Sequence, residues 1–523
     1  MDVARYLRVE GVNIYANLAD TNQLSVIRGG SFLLKDAIET IAEEERYRNQ
    51  LITISTGASE GIFCLVPDAA PLVELIDDVA TFLADHSKYR HLTFTVVGHE
   101  AKHDEEFQLI KKQLIVKSRF LQMQQLRAPA DPDVLNAKGP CEVEGIRPQA
   151  SDEKIIVNGE KKRVSSSVAT RWRYGIEKRR RFYLQEAARA GDSNADLPTE
   201  YTRDIESLAS HTEMNNLNDK VAVVYFDGNG FGGIQSRRVK SSQDQQAFDK
   251  AIKKLRATFL TDWLSYLNSD QSDRHFAPPS RQTNDLAALR FETLLWGGDE
   301  MLFVVPAWLG FELVQFFYEA SKDWQYQGEP LTHAGGIVFC HAKTPIFRTR
   351  NLAQELADAV KERTGGRENN WFDYAVLESI DYPAEKLQQF LQTQYGPLHT
   401  TRMPLRALCG WQEKADHLKQ LLNHVPRAQL YALAQLACHL SFEEKAIEND
   451  TYRLDMQEKR FRQLFGDENV NVLISCIDEL FVLEGAPTLQ QRCWRWLHLI
   501  ELWDYVSQPE RGAGPEKMSK EAE

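Results

Sequence analysis

Two segments of the chain hold residue types from which phosphoryl-transfer chemistry can be built. The first is Tyr225-Phe226-Asp227-Gly228-Asn229-Gly230-Phe231-Gly232-Gly233, where an apolar run delivers a carboxylate into a Gly-rich turn. Glycines at such a turn let backbone amides approach an anion closely and adopt φ > 0. The second is Trp296-Gly297-Gly298-Asp299-Glu300, an acidic hairpin tip between two apolar runs. If the strands lie side by side, Asp227 faces Asp299 and Glu300. Carboxylates clustered beside a Gly-rich turn suit Mg²⁺ (or Mn²⁺) with a triphosphate, because the ion takes hard oxygen ligands and shares its shell with phosphate oxygens. Two ions about 4 Å apart would activate a 3′-hydroxyl and stabilise the leaving pyrophosphate. The protein's own part would be positioning and charge neutralisation. The competing reading is a surface hairpin with two solvated acids near a flexible turn, and either segment alone would leave that reading ahead.

The surrounding elements decide for the pair. Residues 216–385 read as strand, helix, hairpin, helix, strand. Val221 to Phe226 is an apolar run suited to a buried central strand. Phe248, Ile252, Leu255, Phe259 and Trp263 mark one helical face. Arg290 to Trp296 and Met301 to Val305 flank Gly297-Gly298 as a hairpin. Leu313 to Ala320 reads as helix, Ala334 to Cys340 as strand and Leu352 to Lys361 as helix. Residues 1–128 give the same order. A strand runs over Tyr6 to Tyr15 and a helix over Ser31 to Glu45. A hairpin covers Leu51 to Val66 around Gly57-Ala58-Ser59-Glu60-Gly61, Leu72 to Leu83 is helical and His91 to Val97 alternates. Both are βαββαβ, the ferredoxin-like arrangement, and the repeat reads as an internal duplication. Between them, 129–215 is polar and irregular, with a basic helical stretch from Arg171 to Arg181 and a linker from Gly191 to Thr199. Residues 386–508 are helical, and the Gly/Pro/Glu/Lys-rich tail, 509–523, is expected to be disordered. The fold class is α+β: two ferredoxin-like domains and a C-terminal helical domain.

Composition narrows the class of partner. With 62 Lys and Arg against 75 Asp and Glu, the net charge is −13, which disfavours broad nucleic-acid coating. The 7 Cys are scattered without a C-x-x-C pair, so neither a zinc ribbon nor a disulfide framework is supported, and a reduced, cytoplasmic setting fits. The N-terminus shows no signal peptide, and no apolar run approaches the ~20 residues of a membrane helix.

Residues 221–378 resemble the palm domain shared by GGDEF-type diguanylate cyclases and the polymerase subunit of type III CRISPR complexes. The resemblance lies in Phe226-Asp227, Phe231-Gly232, Gly297-Gly298-Asp299-Glu300 and the Ala-x-x-x-Lys pattern from Ala357 to Lys361. The paired layout places the chain on the CRISPR polymerase side, and residues 1–128 resemble that family's first palm through Leu24 to Leu34, with its Arg28-Gly29-Gly30-Ser31. The resemblance implies catalysis by Asp227, Asp299 and Glu300, with these acids and the Gly228 carbonyl as ligands for two Mg²⁺ (or Mn²⁺) ions. It implies nucleotide binding by Gly228, Asn229, Gly230, Phe231, Gly232, Gly297, Gly298 and Lys361, with Lys361 on the triphosphate. Gln235 sits where diguanylate cyclases place a guanine-contacting Asn, and the longer amide points to a different base, adenine. The implied function is a nucleotidyltransferase that makes a cyclic di- or oligonucleotide second messenger from NTPs, with ATP expected, in antiviral defence. Implied partners are an RNA or protein activator, an effector that binds the product, and a second copy of the chain. The alternatives are a cyclase making a cyclic mononucleotide and a nucleotide-binding sensor without turnover.

The departures are informative. The motif ends Asp299-Glu300 where the CRISPR polymerases carry two Asp, and Met301 follows where diguanylate cyclases carry Phe. Their Arg-x-x-Asp inhibition motif is missing. In the first palm, Ala58-Ser59-Glu60 stands where acids would be needed and no Asp ends the first strand, so that palm is expected to be a dead scaffold. The chain starts directly on it, so an N-terminal HD nuclease domain is not expected, and the inter-palm zinc ribbon is reduced to Cys141. A stand-alone polymerase follows.

Three further patterns were weighed. His99-Glu100-Ala101-Lys102-His103 matches a zinc-binding H-E-x-x-H but follows a strand and lacks an acid downstream, so it is set aside. The cluster Arg171, Arg173, Lys178, Arg179, Arg180 and Arg181 fits RNA, a nucleotide or an acidic partner, but reads better as a solvated helix face. Trp494, Trp496 and Trp503 read as core of a helical bundle rather than as a partner surface.

Overall fold

The computed structural model describes residues 4–14, 18, 20–57, 59–102, 105–125, 138–157, 159–280, 283–364, 369–378, 386–406, 418, 421–422, 425, 427–481 and 487–506. Ala58, His103, Asp104 and the tail 509–523 lie outside these residues, and so do the expectations made for them. The architecture is α+β.

The first sheet comprises β1 (Arg5–Val12), β2 (Leu51–Thr56), β3 (Glu60–Leu65) and β4 (Thr93–Glu100) in the order β2-β3-β1-β4, all antiparallel. Helices α1 (Leu24–Glu43) and α2 (Leu72–Asp85) make the two crossovers, and α3 (Phe107–Gln124) follows β4. Thus the connection order is βαββαβ. The first helix begins at Leu24, a full seven positions before Ser31, so Arg28-Gly29-Gly30-Ser31 lies inside it. Glycine inside a helix costs about 1 kcal/mol relative to Ala. Contact with α4 (Ser166–Glu177) explains its place: a Cβ on Gly29 would come 1.8 Å from the Arg171 carbonyl oxygen, and one on Gly175 2.0 Å from that of Ser25. The two helix backbones touch.

After α5 (Arg179–Ala190) comes the second sheet. Its strands are β5 (Lys220–Gly228), β6 (Glu292–Gly297), β7 (Glu300–Pro306), β8 (His333–His341), β9 (Trp371–Val376) and β10 (Leu405–Arg406), in the order β6-β7-β5-β8-β9-β10. The first four repeat the order of the first sheet. Helices α6 (Phe231–Arg238) and α7 (Ser242–Ser269) lie between β5 and β6, α8 (Ala307–Ser321) between β7 and β8, and α9 (Ile346–Thr364) between β8 and β9. Ser241 and Asp244 form a reciprocal cap at the start of α7, and Phe248, Ile252, Phe259 and Trp263 are buried along it. Strand β5 is covered on both faces, which is why its residues 221–226 are all apolar and buried. Gly310 of α8 packs on Ala222 from one side, while Ala353 of α9 approaches Gly336 of β8 on the other.

The two sheets share an irregularity. The β2–β3 ladder shifts register between Thr53 and Ser55, and the β6–β7 ladder between Thr293 and Leu295, at matching distances from the hairpin glycines Gly57 and Gly297. A bulge is a placed feature of a strand pair. The first strand carries no Asp at its end, as expected, but it does carry an acid there: Glu10 pairs with Glu60 as Asp227 pairs with Glu300. Glu was overlooked because the motif was read for Asp.

The C-terminal block is not purely helical. It contributes β10, which pairs with β9 at Trp371↔Arg406 and covers an edge of the second sheet. Its described helices are α10 (Leu387–Tyr395), α11 (Arg427–Cys438), α12 (Ile447–Phe465), α13 (Asp467–Phe481) and α14 (Leu489–Val506). Trp494, Trp496 and Trp503 are buried. Tyr374 of β9 contacts His498 and Glu501 of α14 at 2.6 and 2.8 Å, and Tyr505 stacks on Phe339 of β8. No helix among the described residues is long and apolar enough to cross a membrane.

Candidate active site at the β5 and β6–β7 ends

Strand β5 brings Asp227 to its end, and the β7 ladder sets Glu300 directly opposite. Residues paired across a ladder point to the same face, and this is the face α9 covers. From α9, the Lys361 ammonium contacts the Asp227 carboxylate. Asp299 occupies the hairpin turn with Gly298 at φ +55°, and its carbonyl accepts from the Gly228 amide at 3.1 Å. A Cβ on Gly228 would come 2.7 Å from the Asp299 Cβ, so the tip closes onto β5 only because position 228 has no side chain.

Burial, and then the Asp227 charge, push the Asp299 carboxyl above its ordinary range; Glu300 is raised by burial and by both Asp227 and Asp299. Negative charge only partly offset by Lys361 and Arg256 is therefore built into the site. The three carboxylates do not all converge: among the described residues, mutual approach of a group within 4.8 Å is met by His211, Glu213 and Asp273 instead. As hard oxygen donors on one rim, Asp227, Asp299, Glu300 and the Gly228 carbonyl fit Mg²⁺ or Mn²⁺.

Beyond Gly228 the chain turns into α6. Asn229 is 6% exposed; its amide donates to the Thr332 carbonyl and its Nδ2 to Thr332 Oγ1 at 3.0 Å, so it fastens the turn to β8. Gly230, at φ +68°, precedes the first turn of the helix. Phe231 is a buried anchor against His333 and Phe248 rather than an open contact. A Cβ on Gly232 would meet nothing outside its own turn within 4 Å, which leaves the helix start approachable. Gly297 closes β6 opposite Glu300.

Gln235 lies on α6, but its side-chain oxygen accepts from Lys111 Nζ of α3 at 2.8 Å. Its NH₂ group remains for a base. The basic cluster also needs correcting. Arg171 and Arg179 are 1% and 4% exposed. Arg171 grips Asp20 at 2.9 and 2.7 Å, and Arg179 lies 3.2 Å from Glu292 of β6. These two are internal braces, not a solvated face.

Other residues at the site escaped sequence reading. Arg256 of α7 is 5% exposed, lies over the Trp296 ring at 5.1 Å and opposes the Asp299 charge. Its signal is an arginine at an apolar-face position, between Ile252 and Phe259. His333, beside Gly228 in the ladder, is buried and pushed down to about 3, so it stays neutral.

The fold and site together define a class: an α+β chain with two sheets of one connection order, whose second sheet ends in an acid-lined glycine hairpin. No family model and no curated protein matches the sequence. Among solved structures the chain is similar to Csm1 in T. onnurineus, with TM-score 0.48 and 12% identity over 97% of this chain and 70% of that one. It is also similar to Csm1 in a Csm1–Csm4 cassette in complex with cA4, with TM-score 0.49 and 13% identity over 96% and 70%. A third is the Csm1–Csm4 subcomplex of a type III-A CRISPR-Csm interference complex, with TM-score 0.47 and 12% identity over 97% and 70%.

Proposed function

We propose that the chain is a divalent-cation-dependent nucleotidyltransferase that joins NTPs, ATP foremost, into a cyclic di- or oligonucleotide. The observation that carries this reading is the register that sets Glu300 opposite Asp227 with Asp299 in the adjoining turn, next to the open start of α6. Divalent cations bound by Asp227, Asp299, Glu300 and the Gly228 carbonyl would supply charge neutralisation and an activated hydroxyl. The backbone amides of Gly230 to Gly232, at the start of α6, receive a phosphate, where the helix dipole favours an anion; the Gly233 amide is taken by the Gly230 carbonyl at 2.8 Å. Lys361 exchanges its contact with Asp227 for the triphosphate when the site fills. In the reaction the 3′-oxygen of one nucleotide forms a bond to the α-phosphorus of another, and the bond to pyrophosphate breaks. The hydroxyl, made more acidic by an adjacent cation, would lose its proton to solvent. The acceptor nucleotide lies against the first unit or a second protomer.

The test is incubation with each NTP and Mg²⁺ or Mn²⁺, beside an Asp299→Ala control, with products read by mass spectrometry. A cyclic di- or oligonucleotide that disappears in the control is the expected result. A cyclic mononucleotide would move the assignment to a single-substrate cyclase, and tight NTP binding without product to a sensor.

A further inference from the structure

The first sheet carries a second copy of the acid pair, closed from within. Glu60 opens β3 as Glu300 opens β7, each after a hairpin that follows the shared bulge. Glu10 pairs with Glu60 as Asp227 pairs with Glu300. A glycine follows each strand-end acid, and its amide donates to the hairpin carbonyl in both places: Gly11 to Ser59 at 2.7 Å and Gly228 to Asp299 at 3.1 Å. The helix after the fourth strand sends a cation to the strand-end acid in both: Arg119 of α3 to Glu10 at 2.8 Å, and Lys361 of α9 to Asp227. The correspondence covers strand, turn, hairpin and following helix.

The difference lies two residues before the acid, on the same face. The second unit has Tyr225 there; the first has Arg8. Arg8 is 2% exposed, and its Nη1 lies 2.6 Å from Glu10 while Nε and Nη2 each lie 3.0 Å from Glu60. A guanidinium is planar and permanently charged, with donors that can grip two carboxylates at once. A phenol carries no charge and cannot grip both acids as a guanidinium does.

We infer that the first unit retains a divalent-cation site in closed form, in which the Arg8 guanidinium occupies the place an ion takes between Asp227 and Glu300 in the second. This rests on the second unit's acids being a cation site, as proposed above. The wild-type chain takes up cations at the second unit, and removing the Arg8 charge opens the first. Arg8 and Glu10 of this triad are buried while the Glu60 side chain is 39% exposed. Replacing the whole triad by neutral side chains of similar size need not lose stability, whereas removing Arg8 alone leaves Glu10 to Arg119.

The experiment separates the two sites. In an Asp227→Asn, Asp299→Asn, Glu300→Gln background, Mn²⁺ binding is followed by electron paramagnetic resonance and by the metal-induced rise in melting temperature. With Arg8 intact, no Mn²⁺ should bind. Adding Arg8→Met should restore binding of about one ion per chain, and adding Glu10→Gln and Glu60→Gln to that variant should abolish it. A folded Arg8→Met variant that binds no ion overturns the inference. So does Mn²⁺ binding with Arg8 intact that is lost on Glu10→Gln. If Arg8→Met folds only when Mn²⁺ is supplied during refolding, the inference stands. If it fails to fold even then, while the variant that also neutralises both glutamates folds, the acids cannot hold an ion and the inference falls. Failure of the wild-type chain itself to bind Mn²⁺ would instead remove the premise at the second unit.

Discussion

At the scale of single residues, two of the acids, Asp299 and Glu300, oppose the stability of the empty fold. Asp299 and Glu300 have carboxyls raised above ordinary values of 3.8 and 4.5, so the native state holds their protons more tightly than the unfolded state does. Stability then falls as pH rises from the unfolded values through the raised native ones. Glu300→Gln should therefore raise the melting temperature at pH 7, with the gain shrinking as the pH is lowered through the titration. Mg²⁺ should stabilise the wild type more than this variant. The same substitution should cut turnover by about a hundredfold or more, a usual loss for a group that stabilises developing charge. A scan showing Glu300→Gln less stable than wild type at every pH would contradict this. Gly232 gives a complementary test. Its added Cβ meets no protein atom within 4 Å, so Gly232→Ala should leave the melting temperature nearly unchanged, yet weaken NTP binding about tenfold by intruding on the phosphate. Titration calorimetry beside thermal melting would tell the two effects apart.

At the scale of elements, α6 matters most, because it carries the approachable glycine and Gln235. It is only 8 residues long, and its far end is held from the first unit. Gln108 of α3 donates to the carbonyls of Gln235 and Val239 at 3.2 and 2.7 Å, and Lys111 reaches the side-chain oxygens of Gln235 and Gln245 at 2.8 and 2.7 Å. Burial lowers the Lys111 ammonium, and no carboxylate hydrogen-bonds to it among the contacts described. Lys111→Met keeps the length of the side chain but strands two amide oxygens. The NTP KM should rise several-fold with a smaller change in kcat, since an ordering contact is lost rather than a reacting group; steady-state kinetics on ATP would show the split. This coupling was not legible in the sequence, because Lys111 is far from Gln235 in the chain and stands in no motif. What the sequence did disclose was local. The apolar run 221–226, the hairpin glycines and the face through Phe248 and Trp263 each imprint a period or a turn. Helix α1 was read seven residues short because Gly29-Gly30 reads as a break, and the reason for those glycines is a partner helix more than a hundred residues away. Arg8 and Arg256 were passed over for a related reason: a cation inside an apolar pattern declares itself only when its partner acid is seen.

At the scale of the whole molecule, the two units are joined through charge buried between them. Glu292, 0% exposed on β6, receives Arg28 from α1 and Arg179 from α5. Arg28 also donates to the Gly175 carbonyl at 2.8 Å, so one side chain ties α1, α4 and the second sheet together. Strand β6 runs from Glu292 straight to Gly297, the edge of the acid hairpin. The brace thus sits on the strand that positions Asp299 and Glu300, and its loss should register both as instability and as a looser site. Removing one member of a buried charge cluster commonly costs about 3–5 kcal/mol because the remaining charges lose their compensation. Glu292→Gln, which leaves two buried arginines without their acid, should fall in that range by urea denaturation, with an m-value close to wild type if the units still unfold together. Arg28→Met leaves Glu292 paired with Arg179 and should cost less, and adding Glu292→Gln to it should deepen the loss, because Arg179 then keeps the carbonyls of Thr202 and Phe291 and the Tyr201 ring but no acid. A double-mutant cycle across Arg28 and Glu292 measures the coupling directly. A strongly non-additive result means that the joint between the units is electrostatic; additivity would leave the work to the backbone contact at Gly29 and Gly175, where Gly29→Ala should then be the more damaging change.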